Sequence, residues 1–439
     1  MATGPRIYNL FPLLAGPIAT WEIHLPRIKS MGFTWVFINP IEYPGFSGSL
    51  YATKDPTRLH PLIQGDSPEN PAVLIRRFVA AAKDHGLSVM MDMVINHTAK
   101  DSLLAETRPQ WFAHDEDGQL HSPRAVDPGD TNNVTIWGDL AEIDWRAPDF
   151  RDEKIAYFQA RMAASAELGI SGFRYDAAYK LPSDILRTLT QGVKSEFPDL
   201  LIIAENLGCT EEETLAMSGC GIDFFYNSSK WWDFRASWLL EQYEHDRHVA
   251  PSISFPESHD TERFATELAA YSLTLDTILK WYRLRYLFAC AFSTGIMMPM
   301  GYEYGFRKKL DVCTTRASDW DEEMRDPMFD LCADIQAFNA TKDSCPALNT
   351  EGPQRLLSEP GAPVIAMLRE DGNHASLFLM NRDAHVSHEF PSISLLSGLN
   401  GRAFTFSELT QGFAPADLSL AGHIVLPPLE GRLFCGSAS

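Results

Sequence analysis

Residues 172–180 read GFRYDAAYK, and they follow AASAELGIS at 163–171. The upstream stretch reads as the end of a helix with Gly169 at its C-cap. The chain then enters a core as a short buried strand. Arg174 and Asp176 stand two residues apart, so the period of a strand puts both on one face. A buried strand that ends in a charged pair is the feature to be explained.

Outward from that stretch the same pattern repeats. Apolar strand candidates are RIYNLFPLL (6–14), FTWVFINPI (33–41), LSVMMDMVI (87–95), ISGFRYDA (170–177), LLIIAEN (200–206), GIDFFYN (221–227), SISFPES (252–258) and GIMMPM (295–300). Between most of them lie amphipathic segments such as 70–86, 153–169 and 183–198; in the second, Ile155, Phe158, Met162 and Ala166 share one helical face. Eight strands alternating with helices imply a parallel sheet covered by helices, either a closed (β/α)8 barrel or an open doubly wound sheet. No G-x-G-x-x-G turn follows the first strand, which argues against a dinucleotide-binding fold.

Residues 98–150 break the rhythm: they are rich in Asp, Pro, Gly and Trp and lack a helical period. A loop of that length is expected to be functional, and it reads as a small domain inserted after the third strand. The alternating part therefore covers 1–97 and 151–344. From 345 to 439 the pattern becomes strands without helices (PVIAMLRE, HASLFLMNR, AFTFSEL, HIVLPPLEGRLFCG), which predicts a C-terminal antiparallel β domain, read as a β-sandwich.

Composition narrows the partners. Lys plus Arg number 37 against 58 Asp plus Glu, a formal net charge of −21. Such a surface repels nucleic acid and anionic membrane, and the densest basic run, Arg307-Lys308-Lys309, is three residues long. A neutral substrate fits best. The 7 cysteines show no C-x-x-C or zinc-ligand spacing and read as reduced thiols of a cytoplasmic protein. Asn9, Pro12 and Pro17 interrupt the apolar start, which reads as a first strand and not as a signal peptide. No apolar run is long enough to span a bilayer.

Charged and polar groups collect where the apolar strands end: Asp92 with Asn96-His97, Arg174 with Asp176, Glu205, and His259-Asp260. Singly, each is an ordinary helix cap or loop pair. In a parallel barrel all these ends meet at one rim, the usual place for chemistry, and capping does not account for the whole set.

The ordered set DMVINH (92–97), GFRYDAA, AEN and SHD resembles the four short motifs of the α-amylase family of glycoside hydrolases. WGDLAEIDW (137–145), PGFSGSLYATKD (44–55) and GIMMPMGYEYG (295–305) resemble further family segments, so the likeness spans about residues 5 to 345. It implies a (β/α)8 TIM barrel and a retaining α-glycoside hydrolase acting on α-linked glucose oligosaccharides or α-glucans. Under that resemblance Asp176 is the nucleophile, Glu205 the acid and base, and Asp260 the group that steadies the transition state. Such a mechanism needs the first two carboxyls about 5–5.5 Å apart. Arg174 keeps Asp176 ionised, while burial raises the Glu205 pKa. Asp92, His97 and His259 are expected to bind sugar hydroxyls, and Tyr51 to stack on the ring.

Many family members carry Lys then His three and four residues after the nucleophile; here Tyr179 and Lys180 stand there, which leaves the acceptor side open. Lys180 is a candidate acceptor-side ligand, with a solvated side chain as the alternative. Trp111, Phe112, Trp137, Trp231 and Trp232 are expected in the core, with sugar platforms as the alternative. No cofactor is required by this chemistry. Calcium stays open, because Asn96 is a calcium ligand in many relatives and Asp115, Asp117, Asp127 and Asp130 offer oxygens; no metal residue is assigned. The alternative to hydrolysis is transfer to a sugar, as in an α-glucan maltosyltransferase or glucanotransferase, a reading PQWFAHDEDG (109–118) faintly supports. A catalytically silent glycan-binding protein is the third reading.

Overall fold

A computed structural model describes residues 4–438 except 128, 129, 360, 400, 401, 414, 415, 417 and 420. Eight strands close a parallel barrel: β1 (Arg6–Asn9), β2 (Trp35–Ile38), β3 (Ser88–Met93), β4 (Gly172–Tyr175), β5 (Leu201–Ala204), β6 (Phe224–Tyr226), β7 (Ser252–Ser254) and β8 (Gly295–Pro299). Each lies beside its neighbours in sequence, and β8 returns to β1. The open-sheet alternative is thereby excluded. The first apolar run is not strand throughout: after Asn9 it turns into a helix at Pro12–Ala15, with Pro12 at the first helical position.

Strand alternation decides which side chains reach the lumen. Phe173 and Tyr175 of β4, Met91 and Met93 of β3, and Ile202 and Ala204 of β5 pack in the large outer core beneath the helices. Met90 and Ile203 join Ile7, Phe37, Tyr226, Ile253, Phe255 and Met297 in a separate inner core. Period two therefore sends Asp92, Arg174 and Glu205 towards the barrel interior. Register completes the alignment, since Arg174 pairs with Asp92 across one side of β4 and with Ile203 across the other.

The helices supply the outer wall. Pro71–Asp84 starts on Asn70, whose side chain accepts the Ala72 N–H. Ser183–Glu196 buries Ile185, Leu186, Leu189 and Val193, each contributing on the order of 1.5–3 kcal/mol when fully buried.

In the stretch after β3, the strand His97–Ala99 pairs antiparallel with Leu140–Glu142. The beginning and end of this excursion are thus tied together, and the Trp145 indole N–H donates to the Ile95 carbonyl at 3.0 Å.

Beyond the barrel, a five-stranded antiparallel sheet runs in the order 354–356, 364–370, 374–381, 431–438, 404–408. One face packs Val364, Ala366 and Leu368 against Phe390, Ile424 and Leu426 of a second, two-stranded sheet. The other face lays Ile365, Met367, Phe378 and Met380 on Leu284, Leu287 and Phe288 of the helix Leu275–Phe292. That seam also holds two buried basic side chains. Lys342 donates to the carbonyls of Cys290, Ser293 and Leu348, and Arg369 to those of Phe292 and Thr350. All seven cysteines are free, and no described helix is long and apolar enough to cross a membrane.

Candidate active site

Arg174, 4% exposed, lies at the centre of the rim. Its Nη1 donates to Asp92 Oδ1 and Oδ2 at 3.0 and 2.9 Å and to Asp176 Oδ1 at 2.7 Å. One guanidinium thus holds two carboxylates from adjacent strands. Burial pushes the Asp92 carboxyl up, Arg174 opposes it, and the Asp176 charge adds to the rise.

Immediately after Asp176 the backbone turns. Ala177 takes the left-handed conformation, φ 41° and ψ 50°, which costs a non-glycine residue roughly 1–2 kcal/mol. The turn aims its N–H at Glu205 Oε2, 2.9 Å away, while the Leu207 N–H reaches Oε1 at 2.7 Å. Both oxygens are held, and Glu205 is 8% exposed. Burial pushes its carboxyl up, Arg174 draws it down and Asp176 pushes it up again, giving about 7. The two carboxyls share one site but differ in environment: Asp176 has a cation, Glu205 has backbone amides and low polarity.

Asp260 approaches from the loop after β7. Its Oδ2 lies 3.0 Å from His259 Nε2, and its side chain is 61% exposed at the mouth. Desolvation acts to raise this carboxyl, but His259, Arg174 and Lys309 prevail and hold it down at about 2. Tyr51 closes the circle. Its hydroxyl donates to Asp92 Oδ2 at 2.7 Å and lies 2.9 Å from His259 Nε2, while the two rings stack 6.0 Å apart at 7°. His97 is 8% exposed, its Nε2 has no partner among the described residues, and burial lowers its pKa against the opposing pull of Asp176 and the Tyr51 carbonyl. A buried ring nitrogen left unpaired at a rim full of acceptors is suited to a ligand hydroxyl.

Eight of the nine positions read from sequence therefore form one contact network at the rim: Tyr51, Asp92, His97, Arg174, Asp176, Glu205, His259 and Asp260. Lys180 is exposed at the end of the short turn Ala178–Lys180, its ammonium 4.9 Å from the centre of the Tyr179 ring and without a carboxylate partner among the described residues. The basic run after β8 is neutralised: Lys308 pairs with Asp319 and Glu322, Lys309 with Glu262, and Arg307 approaches Glu323 and Asp326.

Asn96 donates its amide N–H groups to the carbonyls of Asp176 and Ala177 while its Oδ1 has no partner among the described residues, and Asp115 caps its own exposed turn. The side chains of Asp127 and Asp130 lie outside the described residues. Among the described residues no group of three or more His, Cys, Asp or Glu is arranged to hold a metal.

The fold has counterparts among known proteins. The maltogenic α-amylase AmyB of Thermotoga neapolitana superposes with a TM-score of 0.73 at 20% identity, covering 99% of each chain. The α-amylase of Geobacillus thermoleovorans, solved with acarbose, gives a TM-score of 0.75 at 16% identity over 100% of both chains. These likenesses show the fold. In sequence, the family model for the glucanotransferase domain of glycogen debranching enzyme matches residues 6–115. An α-1,4-glucan:maltose-1-phosphate maltosyltransferase of Burkholderia pseudomallei is 27% identical over 94% of this chain, and a Bacillus cyclomaltodextrinase 24% identical over 82%. In fold and in sequence the chain is similar to enzymes of the α-amylase family of glycoside hydrolases.

The chain spans 36% of the length of the Burkholderia relative and 64% of the cyclomaltodextrinase. Within this α-amylase-family fold the aromatic residues divide. Trp111, Phe112 and Trp232 are buried as expected for core. Trp137 and Trp231 are 42% and 50% exposed, which corrects that expectation: Trp137 follows an exposed hairpin, and Trp231 meets Phe255 in a T-shaped contact at 5.8 Å.

Two side chains escaped the sequence reading. Asn9 at the end of β1 and Asn39 just after β2 are fully buried and bonded to each other, and Asn39 reaches Tyr51. The rule that singled out Asp92, a polar group at a strand's C-terminal end, applies to both. Both lie inside strand candidates and, being neutral, carry no charge signal there.

Proposed function

We propose that the protein is a retaining enzyme that cleaves α-linked glucose oligosaccharides or α-glucans, with hydrolysis as its main reaction. The observation that supports this reading best is the divergence of two neighbouring carboxyls. Asp176 is paired with Arg174, whereas Glu205 is buried and keeps its proton up to about pH 7. Asp176 Oδ1 accepts from Arg174, which leaves Oδ2 for attack on the anomeric carbon. As that bond forms, the glycosidic C–O bond breaks and the Glu205 proton passes to the leaving oxygen. In the second step Glu205 takes a proton from the incoming hydroxyl, whose oxygen displaces Asp176 from the sugar. Asp260 and His259 bind hydroxyls of the reacting ring, His97 offers its unpaired nitrogen, and Tyr51 lies against the ring face.

Transfer to a sugar or to phosphate is the second reading. The activity for which the Burkholderia relative is named favours it, as does the Lys180 ammonium beside Tyr179, which no described carboxylate neutralises. Incubation with α-linked di- to heptasaccharides, with and without inorganic phosphate, separates the two when products are followed by NMR. Net reducing ends, appearing first as the α-anomer, support hydrolysis with retention. Disproportionated chains without net reducing ends, or phosphorylated products, favour transfer, and a first product of β configuration overturns the retaining mechanism.

A further inference from the structure

Tyr51 Oη has three close neighbours and one proton: Asp92 Oδ2 at 2.7 Å, His259 Nε2 at 2.9 Å and Asn39 Nδ2 at 3.0 Å. A hydroxyl donates once and accepts twice, so which neighbour receives the proton sets the polarity of all three contacts. The structure assigns that choice to a pair of asparagines at the ends of β1 and β2, Asn9 and Asn39, which act as positioning residues for the Tyr51 hydroxyl and the His259 imidazole. The assignment deepens the glycosidase reading above and rests on it for its functional meaning.

The direction of the chain follows from one backbone carbonyl. Phe37 O accepts the Leu10 N–H at 2.9 Å and Asn9 Nδ2 at 3.2 Å. Only an N–H can face a carbonyl oxygen, so the Asn9 amide is fixed with Nδ2 towards β2, and its second N–H points to Asn39 at 2.8 Å. Asn39 must therefore present Oδ1 to Asn9 and its own NH2 to Tyr51. Facing that donor, Tyr51 Oη accepts, and its proton is directed to Asp92. The remaining lone pair is met by His259, which must then carry its proton on Nε2. The same N–H lies 3.0 Å from Asp260 Oδ2, leaving Nδ1 buried and without a partner among the described residues. Both asparagines are fully buried, so water cannot substitute for either. A neutral amide pair two strands away thus sets the tautomer of a histidine at the mouth of the site.

Asn39→Asp tests this directly, because the introduced carboxyl copies the asparagine pattern when protonated, accepting from Asn9 and donating to Tyr51. Once ionised, that carboxylate cannot donate and competes with Asp92 for the tyrosine proton. The ratio of kcat/KM for maltotriose, Asn39→Asp over the unaltered protein, should stay within threefold at pH 5 and fall at least tenfold by pH 8. Asn39→Leu should be impaired equally at both. A ratio that does not vary with pH overturns the assignment.

The second measurement needs no substrate and no folded variant of Asn39. The 15N shifts of His259 in the unaltered full chain at pH 8, assigned by their loss in His259→Asn, should show Nε2–H and an unprotonated Nδ1. A proton on Nδ1 with Nε2 bare overturns the proposal even where glycoside cleavage is confirmed. The expected tautomer in a protein that cleaves no α-glucoside supports the hydrogen-bond chain and refutes only the function attached to it.

Discussion

Ala177 donates its N–H to Glu205 Oε2 at 2.9 Å, so the residue directly after Asp176 clamps the carboxyl of the neighbouring strand. The spacing of the two acidic groups is therefore built into one backbone turn, and that turn is left-handed at a residue with a Cβ. Ala177→Gly should relieve the strain and stabilise the protein by about 1 kcal/mol, read as a raised denaturant midpoint. The freer backbone should hold Glu205 less firmly, so kcat should fall severalfold with KM little changed.

Glu205 carries a pH signature of its own. Its carboxyl lies at about 7 in the folded protein against an ordinary value of 4.5. Between those values the folded state binds the extra proton, so stability declines as pH rises from about 4.5 towards 7. Glu205→Gln should abolish cleavage and remove this decline, leaving the variant more stable than the parent at pH 8 by up to about 3 kcal/mol. The alkaline limb of the parent's kcat/KM profile should fall near pH 7 as the acid is lost.

Asp176→Asn keeps the shape of the side chain and removes the attacking oxygen. Turnover of maltooligosaccharides should drop on the order of 10⁴-fold, while their binding by calorimetry persists. Unchanged turnover would sink the nucleophile assignment.

Arg174, itself almost wholly buried, sits between two carboxylates. Arg174→Gln leaves both without a cation, and breaking a buried pair of this kind costs about 3–5 kcal/mol. The loss should be greatest above pH 7 and partly recovered near pH 5, where Asp92, already raised by burial, takes up a proton. Thermal melts at the two pH values distinguish this from a general packing defect.

The barrel was legible because its grammar is local: an apolar run, an amphipathic helix and a glycine, repeated. Strand period placed Arg174 and Asp176 on one face, the rule that parallel strand ends share a rim gathered their neighbours, and the roles came from the resemblance of the ordered motifs to a known family. What escaped depends on contacts far apart in sequence. Asn9 and Asn39 matter through each other and through Tyr51, and nothing in either local stretch announces the bond between them. Trp137 failed differently. Whether a side chain at the mouth points inward or into solvent is set by loop packing, which periodicity does not encode.

The order of the final sheet bears on how the protein is made. Strand 431–438 lies between 374–381 and 404–408, two segments that leave the ribosome before it. Until it emerges, each of them presents an open backbone edge to the cell, and the apolar seam beneath, with Arg369 reaching into the barrel floor, waits half assembled. Synthesis thus leaves a window in which a mostly finished barrel carries an unfinished, sticky sheet, and mutations that slow the arrival of 431–438 should show themselves first as aggregation during expression.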